Sequence, residues 1–159
     1  MVGLPVIWGG GTTTTTAFVQ VAGRGMRMQT EPLIAEFKRG GELQDLLLLY
    51  TQALFTQVTQ TAACNRLHII EERLARWLLI VSDHMQLEQF ALTQEFIAQM
   101  LGCRRSGVTV AAGTLSQAGM ISYRRGNINI LNRQELEHTA CECYLIIKNE
   151  YARLLNKRG

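Results

Sequence analysis

Long apolar stretches are missing from this chain of 159 residues. Its longest uninterrupted hydrophobic runs, Leu46–Tyr50 and Trp77–Val81 among them, are five residues each, far short of the roughly 20 that cross a bilayer. No membrane partner is expected. Proline is scarce, at two residues, and charged residues make up only 18% against 47% hydrophobic, the reverse of a disordered composition. A charged-then-apolar leader is also absent, so Cys64, Cys103, Cys141 and Cys143 read as reduced thiols of a cytoplasmic, soluble protein. Histidine is rare: His68, His84 and His138 stand in no motif that sets one beside a Ser or Cys nucleophile. No Lys follows Gly9-Gly10-Gly11 at the spacing of a phosphate-binding loop. No catalytic residue and no cofactor are assigned, and enzymatic activity is not expected.

One further absence is informative. No Asp or Glu occurs from Phe96 to Gln134, whereas Arg104, Arg105, Arg124, Arg125 and Arg133 all fall inside that stretch. Arginine accounts for thirteen of the sixteen cations, and the formal net charge is only +3. Local positive charge without neighbouring acid is a footprint for an anion, and Arg favours planar recognition of phosphate or a base edge.

Along the chain, Val2–Trp8 and Ala17–Val21 flank three glycines and five threonines and read as strand, flexible turn and strand. Two strands do not make a stable domain, so they would either be held against a partner or be the tail end of a larger β-structure. Pro32 can open a short helix running through Phe37 and stopping at Gly40-Gly41. A long helix follows from Glu42 to about Arg66, with Leu43, Leu47, Tyr50 and Leu54 in a heptad-like seam and Leu46 beside it. Its apolar girth favours a subunit interface over a core helix. Then comes an amphipathic helix with Ile70, Leu74, Trp77, Leu78 and Val81 on one face and its charges on the other. Met85–Ala91 is a loop or short extended piece.

The richest stretch comes next. Thr93 can cap a helix with Glu95 in its first turn and Phe96, Ile97, Met100 and Leu101 as its buried stripe. Gly102 ends it, and a second helix opens at about Arg104 and stops at Gly119. Two short helices joined by a glycine turn form a helix-turn-helix pattern. Ile121 and Tyr123, then Arg124-Arg125-Gly126-Asn127, then Ile128 and Ile130 predict a hairpin directly behind it, a wing. Asn132 with Glu135 has the form of a capping box and opens a last helix through Leu136, Ala140, Tyr144, Ile147 and Tyr151. In such a unit the start of the second helix reads base edges. Arg104, Arg105, Ser106 and Thr109 are therefore the candidate base readers, and Thr93, Gln94, Arg124 and Arg125 the candidate phosphate contacts.

The run Leu92–Gly102, followed by Arg105, Val108, Gly119, Ile121 and the Arg125-Gly126-Asn127-Ile128 turn, resembles the C-terminal winged helix of Crp/Fnr transcription regulators. Arg73–Leu79 resembles the helix before that motif, and Arg104–Thr109 with Cys141-Glu142-Cys143-Tyr144 resembles one bacterial branch. The resemblance implies a mainly α fold with small β. It also implies a remnant of a sensor β-roll with its connecting helix at 1–39, a dimerisation helix at 40–66 and a DNA-binding winged helix with C-terminal helix at 67–159. It implies a homodimer on double-stranded DNA with a palindromic operator, RNA polymerase as a further candidate partner, and an effector that the residues do not name. Ser106 and Val110 stand where well-known members carry an acid and a second Arg, which implies a different operator. Glycines and Thr12–Thr16 replace the residues that hold a cyclic nucleotide, and the roll's earlier strands have no counterpart.

Two other readings remain. One is a winged-helix module that docks proteins without binding DNA. The other is a cysteine-based metal- or redox-sensing regulator: His138 and Cys141, three apart, could reach one ion. Cys141 and Cys143, however, would lie about 200° apart on a continuous helix. Buried free cysteine is the commoner fate, so no metal site is assigned.

Overall fold

The computed structural model describes residues 1–19 and 23–156. Among them the architecture is mainly α, seven α-helices with one three-stranded antiparallel sheet. No described helix is long and apolar enough to cross a membrane.

Among the described residues of the N-terminal segment no strand forms. Leu4–Val6 make a single 3-10 turn opened by Pro5, and the rest of 1–19 and 23–29 is irregular; the expected strand's Gln20 and Val21 lie outside the described residues. An isolated hairpin has no neighbouring strand or helix to cover its faces. The segment is anchored by side chains instead: Leu4 is buried, the Met1 ammonium donates to the Tyr50 hydroxyl at 2.7 Å, and Phe18 meets Phe96 edge-on at 5.9 Å.

Helix α1 spans Thr30–Arg39 and ends at Gly40, whose φ of 82° is left-handed. Helix α2, Glu42–Leu67, runs 26 residues, and its main partner is α7, Cys143–Leu155. Helix α3, Ile70–Met85, is the hub of the C-terminal part and packs on α4, α5, α6 and α7. Its charges are not all outside as expected, because Arg73 and Arg76 are buried. The Arg73 guanidinium donates to the carbonyl of Leu101, one of those a helix end leaves open, and to Asn65 Oδ1 at 2.8 Å. Arg76 reaches Thr61 Oγ1 at 3.4 Å. These two cations face inward because they bind α3 to the end of one helix and the flank of another.

Strand β1, Gln89–Ala91, lies in the segment expected to be loop or extended, and pairs with β3, Asn127–Ile130, with Phe90 opposite Ile128. Strand β2, Ile121–Arg124, flanks β3 on its other side, giving the order β1-β3-β2. Phe90, Ile121, Ile128 and Ile130 turn inward to meet Ile97, Leu101, Val108 and Leu115 from α4, Gln94–Leu101, and α5, Arg105–Gln117.

The final helix is broken in two. Helix α6, Arg133–Thr139, stops at Ala140, which is extended (φ −67°, ψ 143°), and α7 restarts at Cys143. Asn132 caps α6 as expected, its side chain accepting from the Glu135 amide at 3.1 Å. A polar cluster ties the pieces back to α3. The Tyr144 hydroxyl donates to Asp83 Oδ2 at 2.9 Å and accepts from Arg133 at 2.9 Å and from Lys148 at 3.1 Å. Arg133 also pairs with Asp83 directly and with Glu137 Oε1 at 3.0 Å. Arg133 is thus neutralised by acids from outside the acid-free stretch and does not belong to its free positive charge.

Candidate nucleic-acid interface

The start of α4 is fixed by Thr93, whose Oγ1 accepts from the Phe96 amide at 3.2 Å. The helix ends at Gly102, left-handed at φ 60°, with the amides of Gly102 and Cys103 returning to Gln99 and Ala98. That turn aims α5 across the surface. Helix α5 lies hard against α3, since a Cβ on Gly107 would stand 2.8 Å from Ile70 Cδ1. With one face of α5 so occupied by Gly107, Val108, Ala111 and Leu115, the residues Arg104, Arg105, Ser106 and Thr109 are left exposed. The first turn of α5 holds no acid and no side-chain cap, so its amides and positive dipole end stay free for an anion.

The wing closes over the same place. Arg125 (φ 50°) and Gly126 (φ 79°) are both left-handed, the geometry of a two-residue turn matched to strand twist. A long side chain in that conformation is uncommon. The turn is bound to the start of α4: the Leu92 amide donates to the Gly126 carbonyl at 2.7 Å, and the Tyr123 hydroxyl donates to the Leu92 carbonyl at 2.8 Å. Burial pushes the Tyr123 phenol above its usual range, partly offset by the nearby Arg105 cation.

A cleft of about 580 Å³ results, walled by Thr93, Gln94, Glu95, Arg105, Tyr123, Arg125 and Gly126. Four of the candidate residues, Thr93, Gln94, Arg105 and Arg125, therefore converge, while Arg104, Ser106 and Arg124 are exposed beyond its lining. Thr109 sits on the same helix face with its hydroxyl engaged, donating to Gln94 Oε1 at 2.8 Å with the Arg105 carbonyl also in reach at 3.1 Å. Sequence reasoning missed Glu95 and Tyr123 as cleft residues. Glu95 stands one residue before the acid-free stretch, and Tyr123 alternates with Ile121 as an ordinary strand residue would.

Residues 72–139 match the family of Crp-like helix-turn-helix domains. That stretch, less than half of the chain, is similar to a Crp-like helix-turn-helix domain. Among solved structures, one from Eubacterium rectale, assigned to the Crp/Fnr family of transcriptional regulators, superposes with a TM-score of 0.54 at 22% identity. The likeness covers 69% of this chain and 51% of that one, so the chain spans about half the neighbour's length. No curated protein matches the sequence. The domain match thus lies within the winged-helix part, and the shared fold extends the likeness over 69% of the chain.

Around the Crp-like domain, the expected interface residues of α2 divide. Leu43 and Leu46 are exposed, Leu47 is buried within the chain, and Tyr50 and Leu54 are half-buried, Tyr50 stacking edge-on with Tyr151 of α7. The outward face instead carries Leu48, Phe55 and Val58, each at least half exposed. The heptad seam and this outward seam sit on different sides of a helix apolar nearly all round.

Behind the Crp-like domain, the break between α6 and α7 removes the objection to joint ligation by Cys141 and Cys143, because the two are not on one continuous helix. They stand with Cys64 and His68, and one ligand atom from each of the four lies within 4.8 Å of every other. Burial pushes Cys141 and Cys143 above the ordinary thiol range; the neighbouring Cys64 thiol adds to the rise at Cys141, whereas at Cys143 the hydrogen bond with Cys141 partly offsets it. His138, which by its spacing could have reached an ion held by Cys141, is exposed and outside this group.

Proposed function

We propose that this chain is a sequence-specific DNA-binding transcription regulator that holds a palindromic operator as a homodimer in the cytoplasm. The observation that carries the reading is the convergence of Arg105 and Arg125, from α5 and the wing, on one cleft of a Crp-like domain. Arg105 leads the base reading, its two parallel N–H donors suited to guanine O6 and N7. Ser106 and Arg104 flank it. Thr109 acts by holding the Gln94 amide, and Val110, 64% exposed one turn beyond Ser106, offers a methyl surface to thymine. Thr93, Gln94, Arg124 and Arg125 hold phosphates and set the register. The outward seam of Leu48, Phe55 and Val58 pairs two copies so that their recognition helices stand about 34 Å apart, one DNA turn.

The test is fluorescence anisotropy of duplex DNA with wild type and Arg105→Ala, on selected sites and on random sequence, at two salt concentrations. Binding should weaken steeply with salt, by about 0.9 in log–log slope per phosphate neutralised. The variant should lose roughly 5- to 150-fold on a selected operator, from about 1–3 kcal/mol of base discrimination, and much less on random DNA. A folded protein that binds no DNA at low salt would refute the reading and leave a protein-docking winged helix.

A further inference from the structure

We propose that Cys64, His68, Cys141 and Cys143 are the four ligands of one tetrahedral zinc-class ion that pins the last turn of α2 to the junction of α6 and α7. The proposal does not depend on DNA binding. Its first support is the donor set: three thiols and an imidazole are the soft and borderline ligands of closed structural zinc sites. The second is local geometry. Cys64 lies in the last turn of α2 and His68 caps that end, its amide donating to the Cys64 carbonyl at 3.1 Å; with the extended backbone at Ala140, Cys141 and Cys143 come within 4.8 Å of both at their ligand atoms.

Distances agree with a shared ion. Zinc bonds of about 2.3 Å to sulfur and about 2.0 Å to nitrogen, at tetrahedral angles, separate two sulfurs by about 3.8 Å and a sulfur from a nitrogen by about 3.5 Å. Here Cys64 Sγ and Cys141 Sγ are 3.5 Å apart, and Cys143 Sγ is 3.9 Å from His68 Nδ1. The far side of the imidazole is also arranged. His68 Nε2 lies 3.2 Å from Glu142 Oε2, the carboxylate-to-histidine contact that orients a metal-binding ring and leaves its other nitrogen free to ligate.

The surroundings are closed: all three thiols are buried, and they form a cluster apart from the main hydrophobic core. A disulfide between Cys64 and Cys141 would give no task to Cys143, His68 or Glu142. When a divalent ion enters, the three thiols release their protons to water, and two positive charges meet three thiolates, leaving one net negative charge. In place, the ion cross-links residues about 75 positions apart and fixes the angle between α2 and the domain behind it.

The experiment uses the full chain, reduced and stripped with a chelator, titrated with Co²⁺ and then Zn²⁺. One Co²⁺ per chain is expected, with the visible absorption of a tetrahedral ion and sulfur-to-cobalt charge transfer, both abolished when Zn²⁺ displaces it. Cys141→Ser and Cys143→Ser should lose the spectrum, while Cys103→Ser should keep it. Glu142→Gln, at a largely exposed position that does not threaten folding, should weaken Zn²⁺ binding about 10- to 100-fold. The proposal is overturned if reduced wild type takes up no stoichiometric Co²⁺, if the spectrum is that of an octahedral oxygen-ligated ion, or if Glu142→Gln binds Zn²⁺ as tightly as wild type.

Discussion

Replacing Tyr144 with phenylalanine removes one atom from the contact joining α3, α6 and α7. The ring is 1% exposed and stays packed, so the loss is confined to the hydroxyl. That hydroxyl donates to the Asp83 carboxylate and accepts from Arg133 and Lys148. A hydrogen bond to a charged group contributes about 1.5–3 kcal/mol. Asp83 and Arg133 keep their direct ion pair, and each side chain remains 30% exposed, so water restores part of the loss. The expected cost is about 1.5–2 kcal/mol, or a Tm lowered by roughly 3–8 °C for a chain of this size. Urea and thermal unfolding at fixed protein concentration, followed by near-UV circular dichroism and by fluorescence, would measure it. Because the hydroxyl acts through Asp83, Asp83→Asn and Tyr144→Phe together should cost less than their sum, by on the order of 1 kcal/mol. A loss below about 0.5 kcal/mol at unchanged urea dependence, or strict additivity with Asp83→Asn, would refute the reasoning, since the hydroxyl would then be exchanging freely with water.

Gly113 lies inside α5 with ordinary backbone angles and nothing within 4 Å of an added Cβ; Gly113→Ala should raise stability by about 0.5–1 kcal/mol in urea titration. Arg125→Asn relieves a long side chain from the left-handed conformation while deleting a cation, so thermal stability should hold or rise while the salt dependence of DNA affinity falls by about one; an unchanged slope would remove Arg125 from the phosphate contacts. Burial, aided by neighbouring Tyr50, pushes the Tyr151 phenol up to about 12, whereas in the unfolded chain it titrates near ~10. The folded state therefore keeps a proton that the unfolded state sheds, and this contribution, full below the unfolded value, is lost as pH rises from about 10 to 12. Tyr151→Phe should accordingly show a shallower alkaline fall in stability than wild type across that window.

The winged helix was legible in the sequence because its signals are local. Thr93, Gly102, Asn132 and the Arg125-Gly126 turn each fix a boundary through a single cap or left-handed residue, and each does so in the fold. The described N-terminal residues form no strand because β-branched residues favour one only where a neighbouring strand covers them; Leu4–Val6 make a 3-10 turn there instead. The break at Ala140 carries no Gly or Pro, and helical periodicity runs straight through it. The packing of Cys141 against Cys64, 77 positions away, accompanies the departure, which local pattern cannot register. The inward turn of Arg73 and Arg76 was hidden for a similar reason, since a buried arginine is recognised by the carbonyl or hydroxyl it meets. Within the candidate interface, Arg105 and Arg125 could be named from charge and position, but the engagement of the Thr109 hydroxyl by Gln94 follows from the crossing of two helices.

The strand order β1-β3-β2 has a consequence for how the domain assembles. The hairpin of β2 and β3 closes across two residues, whereas β1 must find Ile128 from Phe90 across the whole of α4 and α5. Closing a long loop costs more entropy than closing a short one, and contacts distant in sequence form late when local elements can form first. The hairpin and its helices are thus the natural nucleus, with β1 the last piece to seat. Strain or mutation at Phe90 would register mainly as faster unfolding. The edge that holds the start of α4 beneath the wing is then the first part of the domain to come loose.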